Sequence, residues 1–476
     1  MPDEAARETQ RRTGFEEKDS GLENLVRLAA TTRAGDAPPE VLERLRVLVL
    51  DTLAVTAWGG RRPEIAALRE VVGRSSTGTA SVLGTAMAVP ASQASALNGS
   101  AVAADQLQDG HRLARGHPAS HVVLPVFALA EERGLSTDAL FSAVLAGYEV
   151  GARVGIAMGG TPAGVHDIGT WGSVAVSAAV AHLLRPGDAA AMGRAIELAA
   201  SAVLLTDAAT VFRGCAGGHV YLGASAAHGL WIGQAAVAGL TAAPGALERF
   251  FAAHASAQWA GIPPLTGPGW PDYEILRGYV KLHPACAHLH GVLDAVEDAL
   301  VAMTQQGADA GDVTAVRVRT YAGAAAFAAP ARNELEARFS IPTSVALMVL
   351  HQRLDEDLSD ADVRSPAVTD LARRVDVAID PQLDAGYPDG RPASVEITLR
   401  GGSVIRATSR RPRGDADGGT SRNLLHAKAE RLLRKAFGPG ADSLLGVLAE
   451  WPDRHTPRDL GAAFRQAADT VDQGSR

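Results

Sequence analysis

The chain has 476 residues, 47% hydrophobic and 21% charged, enough for a sizeable core over two to four domains of about 150 residues each. A chain disordered throughout is thereby excluded. Its 53 acidic and 45 basic side chains give a formal net charge of −8, the wrong sign for non-specific binding to nucleic-acid phosphates or anionic membranes. Two cysteines, Cys215 and Cys286, and 5% aromatic residues exclude a disulfide scaffold and an aromatic platform for nucleic acid, and point to reducing cytoplasm.

The segment Met1 to Asn24 is dense in charge and has no apolar stretch of the kind a signal peptide needs, so a disordered tail is expected over residues 1–22. From Pro39 to Trp58, Val41, Leu45, Leu48, Leu50 and Leu53 follow helical spacing behind the Pro38-Pro39 start signal. Further helices are expected at Ser92–Ala104, Pro118–Arg133, Ser136–Ala157, Gly172–Leu184, Asp188–Leu205 and Leu222–Leu240, divided by breaks such as Arg185-Pro186-Gly187. They are rich in alanine and glycine. Small side chains allow close backbone approach, and a helix apolar on all sides must be buried, so residues 23–270 read as one large all-helical domain. Cys215 to Leu247 contains no Asp, Glu, Lys or Arg, yet His219, His228, Gln234, several glycines and Pro244 favour a helix buried in protein over a membrane span.

After Trp270 the period changes. Val313–Tyr321, Val375–Ile379 and Val395–Leu399 alternate apolar and polar residues, and Gly401-Gly402 joins the last of these to Ser403–Thr408 as a hairpin. Helical segments at Cys286–Thr304 and Ser340–Leu354 lie between them. The expected fold is therefore mainly α: the helical domain, then a smaller α+β lid domain over 271–410 with an antiparallel sheet. Residues 411–476, with helical spacing over Asn423–Phe437, are expected to return to the helical domain.

Nucleotide-binding glycine motifs, H-E-x-x-H and C-x-x-C are all absent from the sequence. Four clusters stand out instead. The first runs from Asp109-Gly110-His111-Arg112 to Arg115-Gly116-His117-Pro118-Ala119-Ser120-His121. Pro118 suits a first helical position, which puts His117 at the cap and leaves free N–H groups for a carboxylate. The ordinary role of such residues is to end a helix or face solvent. His117 and His121, four apart, with Asp109 or His111, also offer metal ligands, but His117 precedes the helix proper and need not share a face with His121; no metal is expected. The second cluster is the glycine-framed loop Gly164-Val165-His166-Asp167-Ile168-Gly169, and the third is Arg213 to Gly223, where a glycine-rich turn is the plain reading. The fourth, Lys281-Leu282-His283-Pro284-Ala285-Cys286-Ala287-His288, puts a lysine in a loop before a helix; an exposed cation and a buried small thiol are the ordinary alternatives.

Taken in order, these segments resemble the MmgE/PrpD family. The resemblance also takes in Asp51-Thr52-Leu53-Ala54, Leu97-Asn98-Gly99-Ser100-Ala101, Ala130-Glu131, Gly147-Tyr148-Glu149-Val150, Phe339-Ser340-Ile341-Pro342 and Arg413-Gly414-Asp415. It implies a homodimer without cofactor, acting next to a carboxylate group of a small molecule. Removing a proton α to a carboxylate loads charge onto an anion, so cations and hydrogen bonds must strengthen in the transition state. His117 and His166 look like the family's active-site histidines, able to exchange protons near neutral pH. Lys281 resembles its lysine and could bind carboxylate or transfer a proton.

The chain also departs from the family pattern. Gln106-Leu107-Gln108-Asp109 leaves Asp109 as the only carboxylate of its set, Gly218-His219-Val220-Tyr221 lacks a lysine ahead of the histidine, and Thr343 replaces a common tyrosine. His111, Arg112 and Arg115 are candidates to replace the missing polar capacity, with His219, Tyr221 and Thr343 as further substrate contacts. The expected activity is a cytoplasmic dehydratase acting on a hydroxylated di- or tricarboxylic acid, with His117, His166, Lys281 and Asp109 catalytic; epimerisation, decarboxylation and a catalytically silent binding protein are the alternatives.

Overall fold

Helices rich in alanine and glycine can approach until their backbones touch, and the first half of the chain exploits this. The computed structural model describes residues 20–73, 77–418 and 422–474. Its first helices are α1 (Ser20–Thr31), α2 (Pro39–Gly59), α3 (Pro63–Gly73), α4 (Ala91–Val102), α5 (Pro118–Arg133), α6 (Thr137–Ala157), α7 (Trp171–Leu184), α8 (Ala189–Ser201) and α9 (His219–Val237). A Cβ on Gly151 of α6 would lie 2.5 Å from the Cβ of Ala175 in α7, and one on Gly99 of α4 would lie 2.8 Å from Cα of Gly223 in α9. Only glycine permits these contacts. Starts follow cap chemistry: Ser136 Oγ accepts from Ala139 N at 3.2 Å and Asp188 Oδ1 from Ala191 N at 2.9 Å.

Three expectations change. The tail expected over residues 1–22 lies outside the described residues up to position 19, but from Ser20 the chain is helical because Leu25, Leu28 and Ala29 bury one face of α1. α8 stops at Ser201, short of Leu205, because Thr206–Asp207 is drawn into a ladder with Val165–His166. The charge-free stretch after Cys215 is buried on one face only: α9 packs on α4 and α7, while Val220, Ala224 and Trp231, the last 68% exposed, face outward. Among the described residues, α6 alone is long and apolar enough to cross a membrane, and 89% of its apolar window is buried inside the fold.

A second core begins at Ala285. Helices α10 (His290–Gln305) and α11 (Ile341–His351) accompany β1 (Val313–Thr320), β2 (Val375–Ile379), β3 (Ala393–Leu399) and β4 (Val404–Ser409), in sheet order β4-β3-β1-β2. Val395, Ile397 and Leu399 turn inward by the two-residue period, whereas Arg317, Glu396 and Arg406 stay on the wet face. The sheet is antiparallel except at one edge. There β1 and β2 run parallel, so the sheet expected to be antiparallel is mixed at that edge. The chain between Thr320 and Val375 carries α11 and shorter helices, long enough for the crossover that parallel strands require.

From Arg422 the chain rejoins the first core through α12 (Arg422–Phe437), α13 (Ala441–Glu450) and α14 (Pro457–Gly474), burying Leu432, Leu433, Phe437, Leu460 and Phe464 there. α12 is fastened to α2 by a buried ion pair. Lys428 Nζ lies 2.7 Å from Asp51 Oδ1 and also donates to Leu107 O at 2.9 Å. Lys428→Met leaves Asp51 buried without a counter-charge and is expected to cost about 3–5 kcal/mol in urea unfolding, with most of the loss recovered when Asp51→Leu is added. Equal stability of Lys428→Met and the unaltered protein would contradict that role.

Candidate active site

Two-residue ladders bring distant loops together. Gly110–His111 pairs with Gly278–Tyr279, which sets the loop ending at His117 beside the one carrying Lys281, and Val165–His166 is held by Thr206–Asp207. Between the first core and the lid they enclose a cavity of about 210 Å³, lined by Gln106, Arg112, Arg115, His117, His166, Asp167 and Lys281 and, among others, by Tyr279, Cys286, His288, Tyr387 and Arg391. That is below the roughly 300–1,000 Å³ typical of drug-sized ligands and suits a small metabolite. The lining carries four cationic side chains, Arg112, Arg115, Lys281 and Arg391, against one carboxylate, Asp167.

His117 occupies the position before α5 and makes no side-chain bond to the helix end. Its Nδ1 instead lies 2.6 Å from the backbone oxygen of Asp109. A carbonyl only accepts, so Nδ1 carries the ring proton and Nε2 keeps a free lone pair. Burial, then the nearby Lys281 charge, holds the imidazole well below its ordinary range. Lys281 is 1% exposed, and its Nζ donates to Gln106 Oε1 at 3.2 Å. Burial brings its pKa down to about 8, so the ammonium still predominates at pH 7. His166 Nδ1 lies 3.2 Å from Ile168 N and 3.1 Å from Asp167 Oδ1, a carboxyl pushed up by burial. Burial favours the neutral form of this carboxyl, which can donate its proton toward the neighbouring imidazole. Gln106 and Arg115 both adopt left-handed backbone, at φ 54° and 53°, a strain found where a framework forces side chains into a site.

His117, His166, Lys281, Arg112 and Arg115 thus share one cavity; Asp109, His111, His219, Tyr221 and Thr343 do not line it. Asp109 corrects the sequence reading most directly. Its carboxylate accepts from Ala119 N (2.9 Å), Ser120 N (2.8 Å) and Ser120 Oγ (2.5 Å), so the helix N–H groups offered there to a substrate carboxylate are already occupied. Asp109 acts through its backbone on His117. His111 is buried, with Nδ1 accepting from Ala114 N at 3.1 Å and Nε2 3.2 Å from Glu274 Oε2. His219 faces Glu64 across 3.4 Å in a small recess behind Gln106. Tyr221 packs on the main core, and Thr343 Oγ1 accepts from Ala331 N at 2.9 Å inside the lid. Within the cavity Arg112 is held by Asp415 at 2.9 Å.

The sequence reading missed Gln106 as a partner of Lys281, and Tyr279, Tyr387 and Arg391 altogether. Arg391 lies in Tyr387-Pro388-Asp389-Gly390-Arg391-Pro392, which reads as a solvated turn. Of the pair weighed as metal ligands, His117 lines the cavity and His121 does not, being buried against Trp171 with ring centroids 5.5 Å apart. Among the described residues, His283, Asp294 and Glu297 form the one group with ligand atoms close enough for a shared metal. Its carboxylates already receive Arg413, through backbone N to Asp294 at 2.8 Å and Nη1 to Glu297 at 2.5 Å.

Comparison with known proteins agrees with this arrangement of two cores. The MmgE/PrpD N-terminal domain matches residues 23–257 and the MmgE/PrpD C-terminal domain residues 283–448. The chain is similar to a cis-aconitate decarboxylase of Aspergillus terreus, 25% identical over 430 residues that cover 84% of this chain and 86% of that protein. It is also similar to a cis-aconitate decarboxylase-like protein, oryM, of Aspergillus oryzae, 32% identical over 163 residues, covering 32% and 34% of the two chains.

Proposed function

Because the chain belongs to the MmgE/PrpD family, we propose that it is a cofactor-independent lyase that removes water from a hydroxylated di- or tricarboxylic acid. The observation that carries this reading is the meeting of His117, His166 and Lys281 in one small cavity whose lining is predominantly cationic. His117 Nε2 takes the proton α to a carboxylate, and the released electron pair forms the carbon–carbon double bond. The carbon–oxygen bond breaks at the neighbouring carbon, and the hydroxyl leaves as water with the proton held by His166 and Asp167. Lys281 lies against the carboxylate that gathers charge as the proton leaves, where each well-placed donor is worth about 3 kcal/mol in the transition state. Solvent then restores both proton inventories.

Decarboxylation is the second reading, favoured by the names of the two similar proteins. We further propose a cytoplasmic homodimer; the outward apolar stripe Val220, Ala224 and Trp231 of α9 supports it, as a face large hydrophobic side chains seldom leave wet. The test is a mass-spectrometric screen of hydroxy-polycarboxylates in ordinary and deuterated buffer. Dehydration yields a product lighter by one water, decarboxylation one lighter by carbon dioxide, and epimerisation gives α-deuterium without loss. No change in any compound would contradict the enzyme reading.

A further inference from the structure

The mechanism above uses Lys281 for the carboxylate beside the reacting carbon and leaves Arg391 without a task. Arg391 is 5% exposed and lines the cavity from the lid side. Its guanidinium lies 4.7 Å over the ring of Tyr279, Nε is buried without a hydrogen-bond partner, and no carboxylate lies within ion-pair distance among the described residues. Tyr279 and, from beyond ion-pair distance, Asp415, itself paired with Arg112, favour this cation, but no anion among the described residues pairs with it directly, and a buried cation in that position is completed by a ligand anion. The backbone there is rigid. A Cβ on Gly291 would lie 2.1 Å from Arg391 O, and Thr320 Oγ1 donates to Pro392 O at 2.8 Å, so α10 and β1 fix the stem of the arginine. Arg115 also lines the cavity and has no carboxylate partner among the described residues, whereas Arg112 is already neutralised by Asp415.

We infer that Arg391 is a specificity-determining residue that binds a second carboxylate of the substrate, remote from the carbon that loses its proton. The planar guanidinium suits two-pronged recognition of a carboxylate, and Tyr279 holds its face. A dicarboxylate or tricarboxylate then spans from Lys281 to Arg391, and a monocarboxylate leaves Arg391 unpaired. This inference rests on reading the cavity as a polycarboxylate site and adds which residue selects for the second acid group.

Calorimetric titration of the full chain with glutarate and with butyrate tests it. The unaltered protein is expected to bind glutarate at least tenfold more tightly, Arg391→Gln to lose about 10- to 100-fold for glutarate with less than twofold change for butyrate, and Arg391→Lys to lose about 3- to 10-fold for glutarate. Arg391→Lys keeps the charge and stem, so it reads the effect should the glutamine variant fail to fold. Glutarate bound equally by the unaltered protein and folded variants, or an equal loss for both ligands, would overturn the inference. If no hydroxy-polycarboxylate is turned over while glutarate binding still depends on Arg391, the dehydratase reading fails and the subsite stands. Turnover with KM unaffected by Arg391→Gln would remove the subsite and leave the dehydratase reading intact.

Discussion

Replacing Lys281 by methionine is expected to lower turnover by about 10³-fold, within the range that a positioned proton or charge donor supplies. The group is almost fully buried, with Gln106 as its hydrogen-bond partner, so its charge faces the cavity rather than bulk water. Its pH dependence has a definite sign. The functional form is the ammonium, burial lowers its pKa to about 8, and activity is therefore expected to fall as pH rises through about 8. Lys281→Arg keeps a cation that does not titrate in this range and is expected to flatten that alkaline limb, whatever activity its different shape leaves. A pH–rate profile of the free enzyme reads both. Activity that rises through pH 8 would instead make Lys281 the base.

His117→Ala is expected to cost about 10²- to 10⁴-fold in turnover, the usual contribution of a general base, while leaving the fold unharmed. The side chain makes no bond to the start of α5; that task belongs to Asp109, which holds Ala119 N, Ser120 N and Ser120 Oγ. Burial and the Lys281 charge depress the imidazole, and the working form is the neutral one. Activity should therefore persist on acidification past the ordinary histidine range near 6.5 and fall only through the depressed pKa. Unchanged thermal unfolding with lost turnover separates this from a structural effect. An acid limb at the ordinary histidine pKa would contradict the buried, lysine-facing position.

The helices were legible in the sequence because alanine- and glycine-rich segments with clear breaks leave few alternatives: Pro118–Arg133 is found as expected, and Ser136 proves to cap its helix. Sheet alternation was equally clear for Val395, Ile397 and Leu399. What stayed hidden was pairing at a distance. A two-residue ladder such as Gly110–His111 with Gly278–Tyr279 has no periodicity to read, yet it joins the His117 and Lys281 loops. The parallel edge of the lid sheet was hidden for the same reason. Asp109 was read as catalytic, and a carboxylate nine residues before a helix start gives no sign that it will fold back onto that start. Arg391 was invisible because a Pro-Gly turn ordinarily faces water, and only the lid's position over Tyr279 makes it a cavity residue.

At the centre of the account is a neutral His117 that removes a proton next to a carboxylate held by surrounding cations. The most direct measurement is NMR of the α-hydrogen of a turned-over hydroxy-polycarboxylate in deuterated buffer, with the dialysed enzyme and with His117→Ala. The account predicts loss of that hydrogen with the unaltered enzyme and none above background with His117→Ala, although the variant still binds the compound. Undiminished loss with a folded His117→Ala protein would contradict it.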